Sequence, residues 1–212
     1  MGQGETWPNP AVGCVIVSNL DNKKKKPAII GTGHTSKGGV PHAEVMAMNS
    51  ANKNLDGATM YVTLEPCSHK GLTPPCTSAI IKSKIKEVIY SVVDIDKRVK
   101  GKTYKILKMQ KIKVRKGLLK DKVNNFYIPY FFNRKKELPF VSGKIAISKN
   151  NLIYSKENKK ITNLQSDKFT HLLRYKNDAL MVSYKTLNKD NSKLNCRIRG
   201  FNNNSPKRLS LI

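Results

Sequence analysis

Residues 58–93 read ATMYVTLEPCSHKGLTPPCTSAIIKSKIKEVIYSVV. Ala58–Leu64 is rich in β-formers and apolar, as a strand entering a core should be. Glu65–Thr73 is a polar loop. Pro74-Pro75 then opens a helix through about Ser83, since proline is tolerated in a first helical turn. Glu87–Val93 is a second apolar strand. Strand, helix and strand in so short a span predict a layered α/β arrangement.

The flanks extend the same alternation. Upstream, Ala11–Ser18 and Pro27–Gly33 read as strands joined by a lysine-rich turn at Asn19–Lys26. A glycine-rich loop, His34–Pro41, leads to a helix over His42–Lys53. Downstream, Lys102–Met109 is a helix and Ile112–Arg115 a short strand. Leu118–Asn133 reads as a closing helix that Pro129 should end or kink. The expected fold is a three-layer α/β/α domain over residues 1–133, with a mixed sheet covered on both faces. Asn133–Pro139 has the charge run and proline of a boundary. Residues 139–212 form a second α/β segment: a strand at Phe140–Ile147, a helix near Ser166–Tyr175, a strand at Asp178–Ser183, and a polar tail from Asn188. Its 74 residues are few for an independent core.

Composition narrows the function classes. With 39 % hydrophobic and 25 % charged residues, the 212-residue chain is neither fibrous nor disordered. Its apolar runs fall far short of the ~20 residues of a membrane-spanning helix. The N-terminus has neither the basic start nor the apolar stretch of a secretory signal, so a soluble, cytoplasmic chain is expected. The formal charge is +26, but residues 1–96 carry only +2 of it. Lysines outnumber arginines 33 to 7, whereas phosphate and base recognition favours arginine; the balance disfavours nucleic acid as partner. Four cysteines without an export signal read as thiols or metal ligands.

Three short pieces carry the chemistry: His42-Ala-Glu44, Pro66-Cys67 and Pro75-Cys76. His42 and Glu44 fall at the start of one helix, Cys67 follows a strand end, and Cys76 begins the next helix. One imidazole and two thiolates make a zinc site whose fourth position stays open, as catalysis needs. Glu44, two residues from the histidine, stands where a carboxylate can shuttle protons. A closed structural site with His69 or Cys14 as fourth ligand is the alternative. The order H-x-E then P-C is that of zinc nucleobase deaminases, although eight residues separate the two cysteines here instead of two. Gly101-Lys-Thr103 imitates the end of a phosphate-binding loop, but the glycine required five residues before it is Asp96.

Taken together, TWPNPAVGCV (6–15), PHAE (41–44) and TLEPCSHKGLTPPC (63–76) resemble the bifunctional deaminase–reductases of riboflavin biosynthesis, within the cytidine-deaminase-like superfamily. The resemblance implies one catalytic zinc at His42, Cys67 and Cys76, with Glu44 as proton shuttle. It places Asn9 and His69 around a pyrimidine pocket, and makes the substrate a small diaminopyrimidinone ribosylamine phosphate that loses ammonia. In the second segment it assigns Lys144, Arg174 and Arg197 to substrate binding. A homo-oligomer stays open, as do a tRNA-type or other nucleoside deaminase and a non-enzymatic remnant.

Departures from the family pattern shape further expectations. The family usually places an amphipathic helix before the Gly-x-Gly-x-Thr segment with which this sequence opens, so one sheet face is expected to be partly bare. Leu72 stands where Arg or Lys is common. Asp94-Ile-Asp96 replaces a frequent Asp-Pro-Asn. The second segment is read as a truncated reductase domain: Asn150-Asn151 replaces the usual Asp-Gly, Ser192 replaces a common Pro, and no later glycine-rich turn cradles a dinucleotide. NADPH is therefore expected only where the reductase domain is complete, and apolar strand faces there should be partly exposed.

Overall fold

The computed structural model describes residues 2–18, 26–51, 53–153, 161–201 and 205–211. The chain forms two compact units, residues 6–140 with the N-terminal pair, and residues 141–212 with 3–5. The lysine-rich turn at 19–25 and the asparagine run at 202–204 lie outside the described residues.

In the first unit the elements run β1 (Gly13–Val17), β2 (Ile29–His34), α1 (Ala43–Ser50), β3 (Thr59–Leu64), α2 (Cys76–Lys82), β4 (Glu87–Val92), α3 (Lys102–Met109), β5 (Lys113–Lys116) and α4 (Lys120–Lys136). The sheet order is β2-β1-β3-β4-β5. β1 is antiparallel to both β2 and β3, whereas β3, β4 and β5 are parallel, which makes the sheet mixed as expected. Parallel neighbours need a crossover, and α2 and α3 supply the two. Ile16, Met60, Val88, Ile80 and Leu107 are fully buried between strands and helices. The expected core role of Cys14 holds: it is 2 % exposed in the same cluster.

Two glycines bring α1 against the sheet. A Cβ built on Gly33 would stand 2.4 Å from the Ala43 carbonyl oxygen and 2.4 Å from the Ala47 nitrogen; one on Gly31 would stand 2.3 Å from the Ala47 oxygen. All three contacts are backbone, so no side chain can swing aside. α1 begins next to His42, and the strand–helix approach therefore sets where the histidine and Glu44 sit. Gly33→Ala is expected to destabilise the fold by ~3 kcal/mol, the upper part of the overpacking range. Urea unfolding checks this; a midpoint equal to that of the unsubstituted chain would contradict it.

Helix α4 corrects one half of an expectation, that Pro129 ends the helix. Pro129 neither ends it nor marks its limit, since the helix continues to Lys136. An interior proline forfeits a backbone hydrogen bond and costs ~3 kcal/mol. Packing on either side offsets that cost. Tyr127 is 1 % exposed against Leu64 and Val92, with Tyr130 and Phe131 packed alongside. Its hydroxyl lies 2.7 Å from Thr63 Oγ1 and donates to the Ala11 carbonyl at 3.0 Å, tying α4 to the central strand β3 and to the residues leading into β1.

The second unit contains α5 (Leu164–Lys176), β6 (Ala179–Ser183), α6 (Tyr184–Asp190) and β7 (Lys207–Leu211), with β6 and β7 paired in parallel. Residues 140–147 do not form the expected strand: among the described residues they have no ladder partner, and a strand exists only by pairing. Apolar side chains are exposed as anticipated, Ile145 at 70 % and Met181 at 54 %. Two elements are unanticipated: α6, which begins just before the polar tail, and β7 within it. Ser183 caps α6 by accepting from the Thr186 N–H. No helix among the described residues is long and apolar enough to cross a membrane.

Candidate active site

Three side chains from distant parts of the sequence converge at the end of the sheet. His42 is the N-cap of α1, Cys67 lies in the loop after β3, and Cys76 is the first residue of α2. Both sulfurs face one nitrogen: Cys67 Sγ is 3.5 Å and Cys76 Sγ 3.4 Å from His42 Nδ1. All three donor atoms lie within 4.8 Å of one another. Ordinary Zn–N and Zn–S bonds of about 2.1 and 2.3 Å, arranged tetrahedrally, separate an N and an S ligand by about 3.5 Å. The donor set and its spacing both fit zinc. Neither His69 nor Cys14 joins the cluster among the described residues, which sets aside a closed four-ligand site.

Charge around these donors points the same way. The Cys76 backbone N–H donates to Cys67 Sγ at 3.2 Å. Hydrogen bonds from the Cys76 thiol and from His42 hold the Cys67 thiol far down, at about 4, while the proximity of Cys67 pushes Cys76 up. Two thiols so close cannot both ionise without a cation between them. His42 is raised, first by its hydrogen bond to Cys67.

Glu44 is 3 % exposed in the first turn of α1, where the helix dipole favours an anion. Burial, then the neighbouring Cys67, lifts its carboxyl to about 7. A carboxyl in that range both accepts and releases protons near neutral pH.

A cavity of about 270 Å³ opens from this cluster and is lined entirely by the first unit, with His42, Glu44 and Cys67 on its wall. Asn9 and His69, expected around the pocket, both line it. The Asn9 amide donates to the Gly39 carbonyl at 2.9 Å, which fixes its orientation. His69 Nδ1 is buried without a hydrogen-bond partner among the described residues. Leu72 lines the cavity at 93 % exposure and brings no charge. His34 does not line it.

Lys144, Arg174 and Arg197 belong to the second unit. Lys144 is exposed. Arg174 donates to the Asn195 carbonyl at 3.1 Å, and Arg197 donates to the Asn195 side chain at 2.9 Å and, from its backbone N–H, to His171 Nδ1.

Sequence reasoning passed over several cavity residues. Glu65 is buried, and its Oε2 accepts the backbone N–H groups of Asp94 and Gly101, which ties together the two ends of the 94–101 loop. Thr103, part of the apparent phosphate-loop motif, instead pegs the Pro66 carbonyl at 2.6 Å, immediately before Cys67. Tyr130, Arg98 and Arg134 also line the cavity. No spacing rule links these positions to the metal ligands; arginine in a lysine-dominated chain was the one available signal.

Comparison with known proteins agrees with this geometry. Residues 1–92, which include all three donor residues, match the cytidine and deoxycytidylate deaminase zinc-binding region. The chain is 38 % identical over 197 residues to the riboflavin biosynthesis protein RibD of Aquifex aeolicus, covering 92 % of this chain and 53 % of that protein. It is 43 % identical over 139 residues to the diaminohydroxyphosphoribosylamino-pyrimidine deaminase of Buchnera aphidicola subsp. Schizaphis graminum, covering 66 % of this chain and 90 % of that one. The solved deaminase/uracil reductase of Thermotoga maritima superposes with a TM-score of 0.87 at 36 % identity, over 100 % of this chain and 59 % of that structure. The chain spans about half the length of the RibD relatives it matches. Since the Buchnera deaminase is matched over nine-tenths of its length at 43 % identity, the chain belongs to the diaminohydroxyphosphoribosylaminopyrimidine deaminase family.

Proposed function

We propose that this chain is a zinc-dependent deaminase of riboflavin biosynthesis. It would convert 2,5-diamino-6-ribosylamino-4(3H)-pyrimidinone 5′-phosphate to 5-amino-6-(5-phosphoribosylamino)uracil and ammonia, the reaction type for which the Buchnera relative is named. Residues 1–133 are the deaminase domain in this reading, and residues 139–212 a reductase-like segment to which Lys144, Arg174 and Arg197 belong. The observation that carries the proposal is a buried carboxyl, Glu44, beside a His/Cys/Cys donor set, with Glu44, His42 and Cys67 on the wall of one cavity.

His42, Cys67 and Cys76 would hold the metal. A zinc ion so bound supplies Lewis-acid activation of water at neutral pH. The rest of the chemistry falls to the chain. Hydrolysis forms a C–O bond at the amino-bearing ring carbon and breaks its C–N bond. Glu44 takes the proton that the attacking water gives up and passes protons to the departing nitrogen, which leaves as ammonia. Asn9, held by Gly39, and His69, with its unpartnered ring nitrogen, supply polar contacts for the ring from the cavity wall.

Ammonia release by the zinc-loaded chain tests the proposal. Release from the diaminopyrimidinone ribosylamine phosphate is expected, with none from cytidine or single-stranded RNA. Release from RNA alone would overturn it in favour of a nucleic-acid deaminase.

A further inference from the structure

Two of the three metal donors stand at helix starts: His42 caps α1 and Cys76 opens α2. Cys67 has no such support, because residues 65–75 form neither helix nor strand. A ligand on a loop keeps its place only where the backbone around it is tied down. On its C-terminal side Cys67 is tied by α2. The Cys76 backbone N–H donates to its sulfur at 3.2 Å, and the Thr77 N–H donates to its carbonyl at 3.2 Å.

The N-terminal side is held by β4 and by the start of α3. The Glu65 N–H donates to the Val92 carbonyl at 2.9 Å, and the Glu65 carboxylate accepts the N–H of Gly101, the α3 N-cap, at 3.1 Å. Pro66 has no N–H, so its carbonyl is the one main-chain polar group by which that residue can be fixed. The Thr103 hydroxyl donates to it at 2.6 Å. Both residues are buried, and Thr103 is 0 % exposed, so its hydroxyl has no solvent to bond instead. A helical threonine readily turns its hydroxyl back to a carbonyl three or four residues earlier. Thr103 reaches a residue 37 positions away, and the residue it holds adjoins a metal donor. The Gly101-Lys-Thr103 segment, which lacks the first glycine of a phosphate loop, thereby has a task of its own.

We propose that Thr103 is a positioning residue for the metal centre: its hydroxyl fixes the Pro66–Cys67 peptide and so sets how tightly the His42–Cys67–Cys76 cluster retains zinc. This rests on the zinc reading of that cluster. Without the hydroxyl the buried Pro66 carbonyl is left unpaired, which drives the peptide toward another donor and carries the Cys67 sulfur with it. His42 and Cys76 keep their places at the helix starts.

Zinc affinity of the full chain, measured by competition with a chromophoric chelator well below the melting temperature, tests the role. Every variant is folded there, so a loss of stability shared by the metal-free and zinc-loaded chain does not enter the reading. Thr103→Val keeps the size and branching of the side chain and removes the hydroxyl. It is expected to bind zinc ~10-fold more weakly, the lower end of what losing an outer partner of a ligand costs. Thr103→Ser restores the hydroxyl and should recover most of that affinity. Affinity in Thr103→Val equal to that of the unsubstituted chain overturns the proposal, as does an equal loss in the valine and serine variants, the mark of packing alone. If Thr103→Val does not fold, Thr103→Ser and Thr103→Ala decide, because they differ by the hydroxyl alone. An alanine variant ~10-fold weaker than the serine one supports the role, and equal affinities overturn it. An unsubstituted chain that takes up no zinc refutes the metal reading of the cluster, and this role with it.

Discussion

Glu44→Gln is expected to keep one zinc per chain and to lose at least ~10²-fold in turnover, the ordinary scale of general acid–base catalysis. The amide fills the same volume at a position only 3 % exposed, so the packing of α1 should survive. The donor atoms of His42, Cys67 and Cys76 are untouched, so metal content should survive too. Only the capacity to take and return a proton is removed. Burial beside the His42–Cys67–Cys76 cluster on the cavity wall puts the carboxyl where it can serve both halves of the reaction. Steady-state ammonia release with metal analysis of the same sample checks this. Turnover within a few-fold of the unsubstituted chain would remove Glu44 from the mechanism.

Cys76→Ser is expected to strip the metal. The sulfur is 3.4 Å from His42 Nδ1 and the residue is 1 % exposed, so no neighbouring side chain or bulk water can take its place without repacking. A serine hydroxyl remains neutral at pH 7 and is a poor substitute for a thiolate. Loss of an outer partner of a metal ligand already costs ~10–100-fold in affinity, so losing a ligand should exceed ~100-fold. The variant should also melt lower than the zinc-loaded chain, because metal bound only to the folded state stabilises it by mass action. Elemental analysis after dialysis against trace zinc is the check; undiminished zinc in the variant would contradict the ligand assignment.

The first unit was legible in the sequence because each element there carries its own signal. Ala58–Leu64 and Glu87–Val93 are apolar enough to be buried strands, and Pro74-Pro75 announces the helix that begins at Cys76. The metal donors were legible for a different reason: ligation restricts residue type so strongly that His42, Cys67 and Cys76 stand out in any layout. What failed depends on tertiary partners. Pro129 reads as ending or kinking the helix, but α4 runs on past it to Lys136, with Tyr127 and its two hydroxyl contacts anchoring that stretch. Residues 140–147 have a strand's composition and no neighbour to pair with among those described. β7, a run of Lys-Arg-Leu-Ser-Leu, has only two apolar residues and becomes a strand because β6 pairs with it. Arg98 and Arg134 reach the cavity on a loop and a helix that no spacing connects to the zinc ligands, so only the folded chain reveals them.

The central claim, hydrolytic deamination at the Glu44 site, is tested most directly by following the fate of water oxygen. The zinc-loaded chain is incubated with the diaminopyrimidinone ribosylamine phosphate in water enriched in a heavy oxygen isotope, and the pyrimidine product is weighed by mass spectrometry. One labelled oxygen is expected in each product molecule, matched by one ammonia released. Recovery of the diaminopyrimidinone intact, or ammonia without label in the ring product, would contradict it.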